Sequence, residues 1–174
     1  QLILSPLEHP AQVFAACFSP NGETLLTIAE DRTVRLWRAM TGHLLASTFR
    51  HGSQVTAAGF SPNGSVVLTA TENGNVRLWD LGLGRELTEP MSHPQVVLSA
   101  RFSPDGQRVV TACFDGLVRL WDARSGQMLS EVGRHNHWVA HAEFSPEGQR
   151  VLSASLDCTV RLWDATTNVC LSEH

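Results

Sequence analysis

The sequence contains no lysine, so all 13 of its basic residues are arginines. They are outnumbered by 17 acidic residues, which gives a net charge of -4 at pH 7. Nucleic-acid binding needs a concentrated basic surface that neutralises phosphates, and this charge balance argues against it. No apolar run is long enough to span a membrane, and no charged-then-apolar leader opens the sequence. We therefore expect no nucleic-acid or membrane partner, and the cytoplasm is the favoured location.

Cysteine is also scarce, and no two cysteines form a C-x-x-C pair. The four are Cys17, Cys113, Cys158 and Cys170. Because they occupy unlike positions, the sequence predicts neither a zinc site nor a disulfide framework, and free thiols in a reducing compartment are favoured. The sequence begins at Gln1 rather than at methionine, which is typical of a piece of a longer protein.

One pattern recurs along the sequence with a period of 42 residues. A phenylalanine followed by Ser-Pro, then Asn, Asp or Glu, and then Gly stands at Phe18, Phe60, Phe102 and Phe144. The tetrapeptide VRLW ends at Trp37, Trp79, Trp121 and Trp163, and histidine recurs at His9, His51, His93 and His135. Three markers that share one period without an insertion indicate tandem copies of one structural unit. The units span residues 1–42, 43–84, 85–126 and 127–168, and residues 169–174 begin another outer strand.

Each unit predicts four short β-strands. In the first unit they run from Val13 to Phe18, Thr24 to Ile28, Thr33 to Trp37 and Leu44 to Phe49. Turns separate the strands, and the SPNG turn carries Pro and Gly where turn geometry favours them. No stretch shows a sustained helical period. Apolar residues on both strand faces predict an all-β fold in which four-stranded antiparallel sheets stack and cover one another.

The unit, written H-x-x-x-V…FSPDG…T-A-x-x-D-G-x-VRLWD, resembles the WD-repeat family of β-propellers, and in particular the regular tandem arrays of bacterial multidomain proteins. The resemblance covers all 174 residues. It implies a propeller segment with one blade for each 42-residue repeat. It also implies a non-catalytic scaffold that binds a protein or peptide as part of a larger protein.

The resemblance further implies a structural, hydrogen-bonded tetrad of His, Ser or Thr, Asp and Trp in each blade. By position the tetrads are His9, Thr27, Asp31 and Trp37; His51, Thr69, Asn73 and Trp79; His93, Thr111, Asp115 and Trp121; and His135, Ser153, Asp157 and Trp163. In such a set the hydroxyl accepts from the indole and donates to one imidazole nitrogen, while the other nitrogen donates to the carboxylate. Asn73 replaces the aspartate in blade 2, and Arg38 replaces the aspartate that follows the other three repeat tryptophans. We therefore expect the first two blades to be the less stable half.

The sequence holds one catalytic and one metal-binding pattern, and neither is convincing. Ser153, His135 and Asp157 have the composition of a hydrolase triad, but the constellation recurs in every blade and tryptophan engages its hydroxyl. Once His135 belongs to a tetrad, the RHNHWVAH stretch retains only His137 and His141, which are too few for a metal site. The sequence therefore predicts no catalytic residue, no metal and no cofactor.

In the family, three positions of each blade face the upper surface, where partners bind. Blades 1 and 2 place mostly polar and acidic residues there, namely Gln12, Phe14, Glu30, Gln54, Thr56 and Glu72. Blades 3 and 4 place an apolar set there, namely Val96, Leu98, Phe114, Trp138 and Leu156, together with Ala140. Exposed aromatic surface is costly unless a partner covers it, so the apolar set is the predicted binding surface. The alternative is that neighbouring blades or a loop bury these residues.

Four blades of this size are not expected to close a ring, because about 42 residues per blade is usual for six or more blades. An open array exposes an apolar face at each end. Two copies of the chain would then complete an eight-bladed ring with twofold symmetry. Two other functions stay open: a structural spacer, and an enzyme or small-ligand site in the central channel. The latter is disfavoured because the inner strands offer few ionisable groups, notably Arg101, His141 and Glu143.

Overall fold

The chain folds into four consecutive antiparallel sheets, which form four blades. The computed structural model describes residues 6–173, so residues 1–5 of the expected first outer strand lie outside the described residues. Blade 1 consists of β1 (Val13–Phe18), β2 (Thr24–Ala29), β3 (Thr33–Arg38) and β4 (Leu44–Arg50). Blade 2 consists of β5 (Val55–Phe60), β6 (Val66–Thr71), β7 (Asn75–Asp80), β8 (Arg85–Glu86) and β9 (Met91–Ser92).

The other two blades repeat this order. Blade 3 consists of β10 (Val97–Phe102), β11 (Arg108–Cys113), β12 (Leu117–Asp122) and β13 (Met128–Arg134). Blade 4 consists of β14 (Val139–Phe144), β15 (Arg150–Ser155), β16 (Val160–Asp164) and β17 (Cys170–Glu173). Each sheet takes its outer strand from the start of the next sequence unit, so blades and sequence units are offset.

Within every blade the strands pair in chain order, from an inner strand to an outer one. The four strands predicted from the first unit are confirmed, each to within one residue at its end. Blade 2 differs at its outer edge, where Pro90 has no N–H to donate to a ladder. Its outer strand is split into β8 and β9, and both pair with β7. Residues 6–173 contain no helix, and therefore none that could cross a bilayer.

The SPNG turn connects the first two strands of a blade. Gly22 has a φ of 72°, in the left-handed region that favours glycine, and its N–H donates to the Ser19 carbonyl at 2.9 Å. The Ser19 hydroxyl accepts from the Thr24 N–H at 2.9 Å. The hairpin is copied in every blade, because the equivalent glycines have the same conformation at Gly64, Gly106 and Gly148.

The hydrophobic core lies between blades. One cluster joins blade 1 to blade 2 through residues that include Leu26, Val34 and Val67. Equivalent clusters join blade 2 to blade 3 and blade 3 to blade 4. Each internal blade thus presents one apolar face to the blade before it and another to the blade after it. The sheets depend on their neighbours for a core, as repeat modules do.

The array is open at both ends, judged on residues 6–173. Leu152 and Val160 of blade 4 are 37% and 44% exposed, whereas their equivalents Val110 and Val118 in blade 3 have no exposed surface. At the other end, Phe18 of blade 1 is 65% exposed. The face that would contact a following blade and the face that would contact a preceding blade are therefore both in solvent.

A bulge interrupts the pairing of the first two strands at the same point in every blade. The residues out of register are Phe14, Thr56, Leu98 and Ala140. A bulge turns its side chain away from the alternation of a regular strand. These four residues are among the positions that the sequence assigns to the upper surface.

Blade 1 is expected to gain stability from the substitution Arg38→Asp. In blade 2 the aspartate at this position, Asp80, accepts from the Leu83 N–H at 2.8 Å and closes the next turn. Restoring this acceptor should raise the free energy of unfolding by about 0.5–1 kcal/mol, as measured by urea denaturation. Arg50→Asp, at an exposed position of the same blade, is the control for net charge, and an equal gain there would contradict the turn mechanism.

Candidate functional site

An indole-to-hydroxyl hydrogen bond stands at the same place in all four blades. The Nε1–H groups of Trp37, Trp79, Trp121 and Trp163 donate to the hydroxyls of Thr27, Thr69, Thr111 and Ser153. The N···O distances lie between 2.8 and 3.0 Å. Each bond ties the third strand of a blade to the second and satisfies an indole donor in the blade interior.

Blade 4 contains the complete tetrad. Nε2 of His135 lies 2.7 Å from Oγ of Ser153, and Nδ1 lies 3.0 Å from Oδ2 of Asp157. A neutral ring protonated on Nδ1 satisfies both contacts, because it accepts from the hydroxyl and donates to the carboxylate. Burial raises the pKa of Asp157, but hydrogen bonds from Thr159 and from the Asn136 N–H outweigh burial and hold that pKa well below its ordinary value.

In blades 1 and 3 the histidine bonds to the backbone and not to the turn aspartate. Nε2 of His9 and of His93 lies 2.8 Å from the tetrad hydroxyl. Nδ1 of His9 donates to the Leu7 carbonyl at 2.9 Å, and Nδ1 of His93 donates to the Gly74 carbonyl at 3.0 Å. A carbonyl can only accept, which fixes the ring proton on Nδ1. In these blades the structure therefore connects His, Thr and Trp, without the expected aspartate.

In blade 1 and in blade 3 the turn aspartate forms an ion pair with an arginine. Neither the family resemblance nor the tetrad chemistry predicts this partner. Nη2 of Arg35 lies 2.6 Å from Oδ2 of Asp31, and Nη2 of Arg119 lies 2.6 Å from Oδ2 of Asp115. The hydrogen bond from Arg35 lowers the pKa of Asp31 to about 2. The sequence carries a signal for this pair, because the arginine of VRLW follows the turn residue at a fixed interval of four.

Blade 2 has the least connected set. Nε2 of His51 is buried without a hydrogen-bond partner among the described residues, and the ring meets Trp79 edge-on with centroids 5.6 Å apart. Arg77 has no aspartate in its turn and instead contacts Glu86 of the outer strand at 2.6 Å. Because Asn73 carries no charge, the repeat arginine finds its carboxylate on another strand.

Ser153, His135 and Asp157 have the distances of a hydrolase triad but not its accessibility. Ser153 has no exposed surface, and its oxygen already accepts from Nε1 of Trp163. A nucleophilic serine must reach a substrate carbonyl beside an oxyanion hole. The geometry of these residues therefore supports a structural role.

Phe114 and Trp138, both predicted for the upper surface, form an aromatic stack between blades 3 and 4. Their rings are parallel within 4° and their centroids are 4.0 Å apart. The Phe114 N–H donates to the Val96 carbonyl, and the Leu156 N–H donates to the Trp138 carbonyl, both at 2.9 Å. Trp138 remains 41% exposed, and Leu156 is exposed as well. We call these four residues the upper apolar cluster.

A shallow recess adjoins the stack. It has a volume of about 240 Å³, and its lining includes Asp115, Arg134 and Asn136 beside the two aromatic rings. Apolar surface bordered by a few hydrogen-bonding groups is the usual composition of a binding site.

Leu98, the fifth residue predicted for the binding surface, lines a different recess. This depression has a volume of about 620 Å³, and Leu98 shares it with Phe14, Glu30, Gln54 and Thr56 of blades 1 and 2. Three of these residues, Leu98 included, are the bulged residues of their strands. The predicted surface is thus divided between two places.

The remaining histidines and cysteines form no larger cluster. Within residues 6–173, no three His, Cys, Asp or Glu side chains gather in a group that could hold a metal ion. His141 lies 3.4 Å from Glu143, and His137 meets the Trp138 ring with centroids 5.1 Å apart. All four cysteines are free thiols.

Comparison with known proteins decides the family. A family model for the WD domain, G-beta repeat, matches four tandem segments at residues 2–38, 42–80, 84–122 and 126–164. The chain belongs to the WD-repeat family. The predicted all-β propeller fold is thereby confirmed, with four WD repeats in four antiparallel sheets. No curated protein matches this WD-repeat chain.

Two crystal structures of computationally designed proteins are similar to this WD-repeat chain. The Ika4 protein is 30% identical, with a TM-score of 0.83, over 94% of this chain and 98% of its own. The Ika8 protein is 30% identical, with a TM-score of 0.81, over 93% of this chain and 48% of its own. The chain therefore spans about half the length of the second protein.

Two histidines, the half-buried His51 and the buried His93, are expected to make this WD-repeat protein sensitive to acid. Burial lowers the pKa of His51 and that of His93 from 6.5 to about 4. Below pH 6.5 these two histidines bind protons in the unfolded chain but stay neutral in the folded chain. The contribution of the neutral rings to the free energy of unfolding is therefore fully present above pH 6.5. It is lost as the pH falls towards 4, by about 1.4 kcal/mol per pH unit for each proton.

His51→Phe should reduce the slope of the unfolding free energy against pH by the contribution of one proton. It should do so without breaking a hydrogen bond at Nε2. Urea denaturation between pH 8 and pH 4 measures the slope. His93→Phe is the matched comparison, because it also loses the bond to Thr111 and should lower stability at every pH. An unchanged slope in His51→Phe would contradict the mechanism.

Proposed function

We propose that the protein is a non-catalytic scaffold that binds a protein or peptide through the upper apolar cluster. Repeats of this family generally serve as scaffolds for protein interaction. The observation that carries the proposal is the parallel stack of half-buried Phe114 and exposed Trp138, which is fixed between two blades.

A partner would gain more from this stack than from a flexible surface. Covering the exposed part of a tryptophan contributes about 2 kcal/mol, at about 25 cal/mol per Å² of apolar surface. The stacking contact and the strand hydrogen bonds already restrain both residues, so little side-chain entropy remains to be lost. Rigid aromatic anchors of this kind are typical of binding hot spots.

The surroundings of the stack indicate the chemistry of the partner. Arg134 and Asn136 line the adjoining recess and offer a guanidinium and an amide, whereas the carboxylate of Asp115 beside them is already held by Arg119. We therefore expect an apolar side chain flanked by hydrogen-bonding groups. The net charge of -4 argues against nucleic acid as the binding partner. We propose no membrane partner either. Free cysteines favour a reducing compartment such as the cytoplasm.

The two alternative functions have weaker support. A spacer would have no use for an exposed tryptophan that is held in place by a stacking contact. A reaction in the central channel would need convergent ionisable groups. Among the candidates, His141 and Glu143 are neighbours on one strand, 3.4 Å apart, and Arg101 stands on another blade.

Loss of the two aromatic side chains is expected to abolish partner binding. Peptides selected on the native chain from a displayed random library should bind the Trp138→Ser and Phe114→Ser variants at least about thirtyfold more weakly, which corresponds to about 2 kcal/mol. Calorimetry with a selected peptide measures the loss. Leu83→Ser, at an exposed turn of blade 2, is the control and should bind normally. Equal affinity for all variants would place the binding surface elsewhere, and failure to select any peptide would favour the spacer.

We also propose that the isolated chain pairs with a second copy of itself. Leu152 and Val160 are exposed at one end and Val13 and Phe18 at the other, although equivalent positions form the core at the internal junctions. Exposed apolar sheet faces favour association. The chain superposes on about half of the Ika8 chain, so two copies would supply the length of that whole protein.

Light scattering after size-exclusion chromatography tests the pairing. The expected mass is that of two 19.1 kDa chains at micromolar concentration, with dissociation on dilution. A monomer at every concentration would contradict the proposal. Larger, concentration-dependent oligomers would show that the ends associate without closing a ring of two.

A further inference from the structure

One arginine connects blade 3 to blade 4. Nη2 of Arg108, at the start of β11, donates to the Gly148 carbonyl at 2.6 Å. The Arg108 guanidinium also lies over the Phe144 ring, with Cζ 5.1 Å from the centroid, which is a cation–π contact. We call this arrangement of arginine, turn carbonyl and phenylalanine the clasp. It contacts both the turn and the first strand of the following blade.

The same three residue types recur at the open ends of the chain. Arg150, one period after Arg108, begins β15 of blade 4 and is exposed. In blade 1, Gly22 and Phe18 hold the positions that Gly148 and Phe144 hold in blade 4. One end thus carries the arginine, and the other end carries the carbonyl and the ring.

The local geometry of these residues matches that of the internal clasp. Arg108 and Arg150 occupy the same register position, each opposite an aspartate of the following strand. Gly22 and Gly148 both have a φ of 72° and the same turn hydrogen bond to a serine carbonyl. Phe18 is 65% exposed, so its ring is open to a guanidinium. A following blade 1 would therefore meet Arg150 as blade 4 meets Arg108.

Arginine at this position is not a general feature of the repeat. Blades 1 and 2 carry Thr24 and Val66 there, so their junctions to the next blade have no clasp. Arginine occurs only in the last two blades of the four, at Arg108 and Arg150. Blade 4 therefore has a polar group suited to a junction, although no blade follows it in residues 6–173.

We infer that the second copy docks head to tail, with Arg150 of each copy donating to the Gly22 carbonyl and covering the Phe18 ring of the other. This inference rests on the proposed pairing of two copies. Leu152 and Val160 would pack against the exposed inner strand of blade 1, as their equivalents do at the internal junctions. Two such junctions close an eight-bladed ring about a central twofold axis, with both upper apolar clusters on the same side.

Sedimentation equilibrium of the 174-residue chain tests the clasp. Arg150→Ala and Phe18→Ala should each raise the dimer dissociation constant at least about tenfold, because every dimer loses two clasps. The double variant should lose less than the sum of the two single losses, since the two side chains contact each other. Arg85→Ala and Leu83→Ala, at exposed positions of blade 2, are matched controls that should leave the constant unchanged. All four positions are exposed, so circular dichroism should be native-like throughout.

The orientation of the pair is tested with Ala16→Arg and Leu152→Arg, which place a charge on opposite end faces. In a head-to-tail pair each variant weakens its own association. Mixing the two variants restores association, because one junction then has two native faces. In a pair that uses one end face twice, only one variant dissociates and mixing has no effect, which would overturn the orientation.

The outcomes separate this inference from the proposal on which it rests. A native chain that is monomeric would overturn both the pairing and the clasp. A dimer whose dissociation constant is unchanged by Arg150→Ala and by Phe18→Ala would keep the pairing and overturn the clasp. Binding at the upper apolar cluster would be unaffected by either result.

Discussion

Packing of one sheet against the next is the interaction on which the structure depends. A blade has two apolar faces and can cover neither by itself, so it obtains its core from its neighbours. Val34 and Val118 have no exposed surface because a blade follows theirs, whereas Val160 in the same register is 44% exposed. The same side chain is thus buried in one blade and exposed in another, depending on whether a further blade packs against it. The stability of the array is accordingly set by its junctions, and the end blades have the fewest.

Inside a blade, the indole-to-hydroxyl bond is constant and the carboxylate contact varies. In blades 1 and 3 the repeat arginine binds the turn aspartate at 2.6 Å, and the histidine uses a backbone carbonyl. In blade 4, Arg161 lies 3.9 Å from Asp157 and donates to the Arg134 carbonyl, while His135 approaches the aspartate to 3.0 Å. A guanidinium forms a stronger bond to a carboxylate than a neutral imidazole does. The guanidinium and the imidazole therefore compete for one carboxylate. The arginine binds it in blades 1 and 3, and the histidine binds it in blade 4.

Strand positions could be predicted from the sequence because turn-forming residues recur with a constant period and mark the end of each strand. The expected contact between His9 and Asp31 is absent, because Nδ1 of His9 donates to the Leu7 carbonyl and Arg35 holds the aspartate. The sequence could not reveal this choice of partners, since it depends on distances that only the fold sets. The stack of Phe114 and Trp138 joins two predicted residues across a junction. Leu98 lines a different recess because it is a bulged residue, and composition does not reveal a register shift of one residue.

Partner binding and pairing would use different parts of the molecule. The upper apolar cluster crosses the junction between blades 3 and 4 of one chain, whereas Arg150 and Phe18 stand at its two ends. A closed pair would therefore carry two intact clusters on one side of the ring. A partner with two copies of its binding segment would bind the second cluster at an effective concentration of about millimolar for a short flexible linker. Pairing would then raise the strength of binding without adding a contact to either cluster.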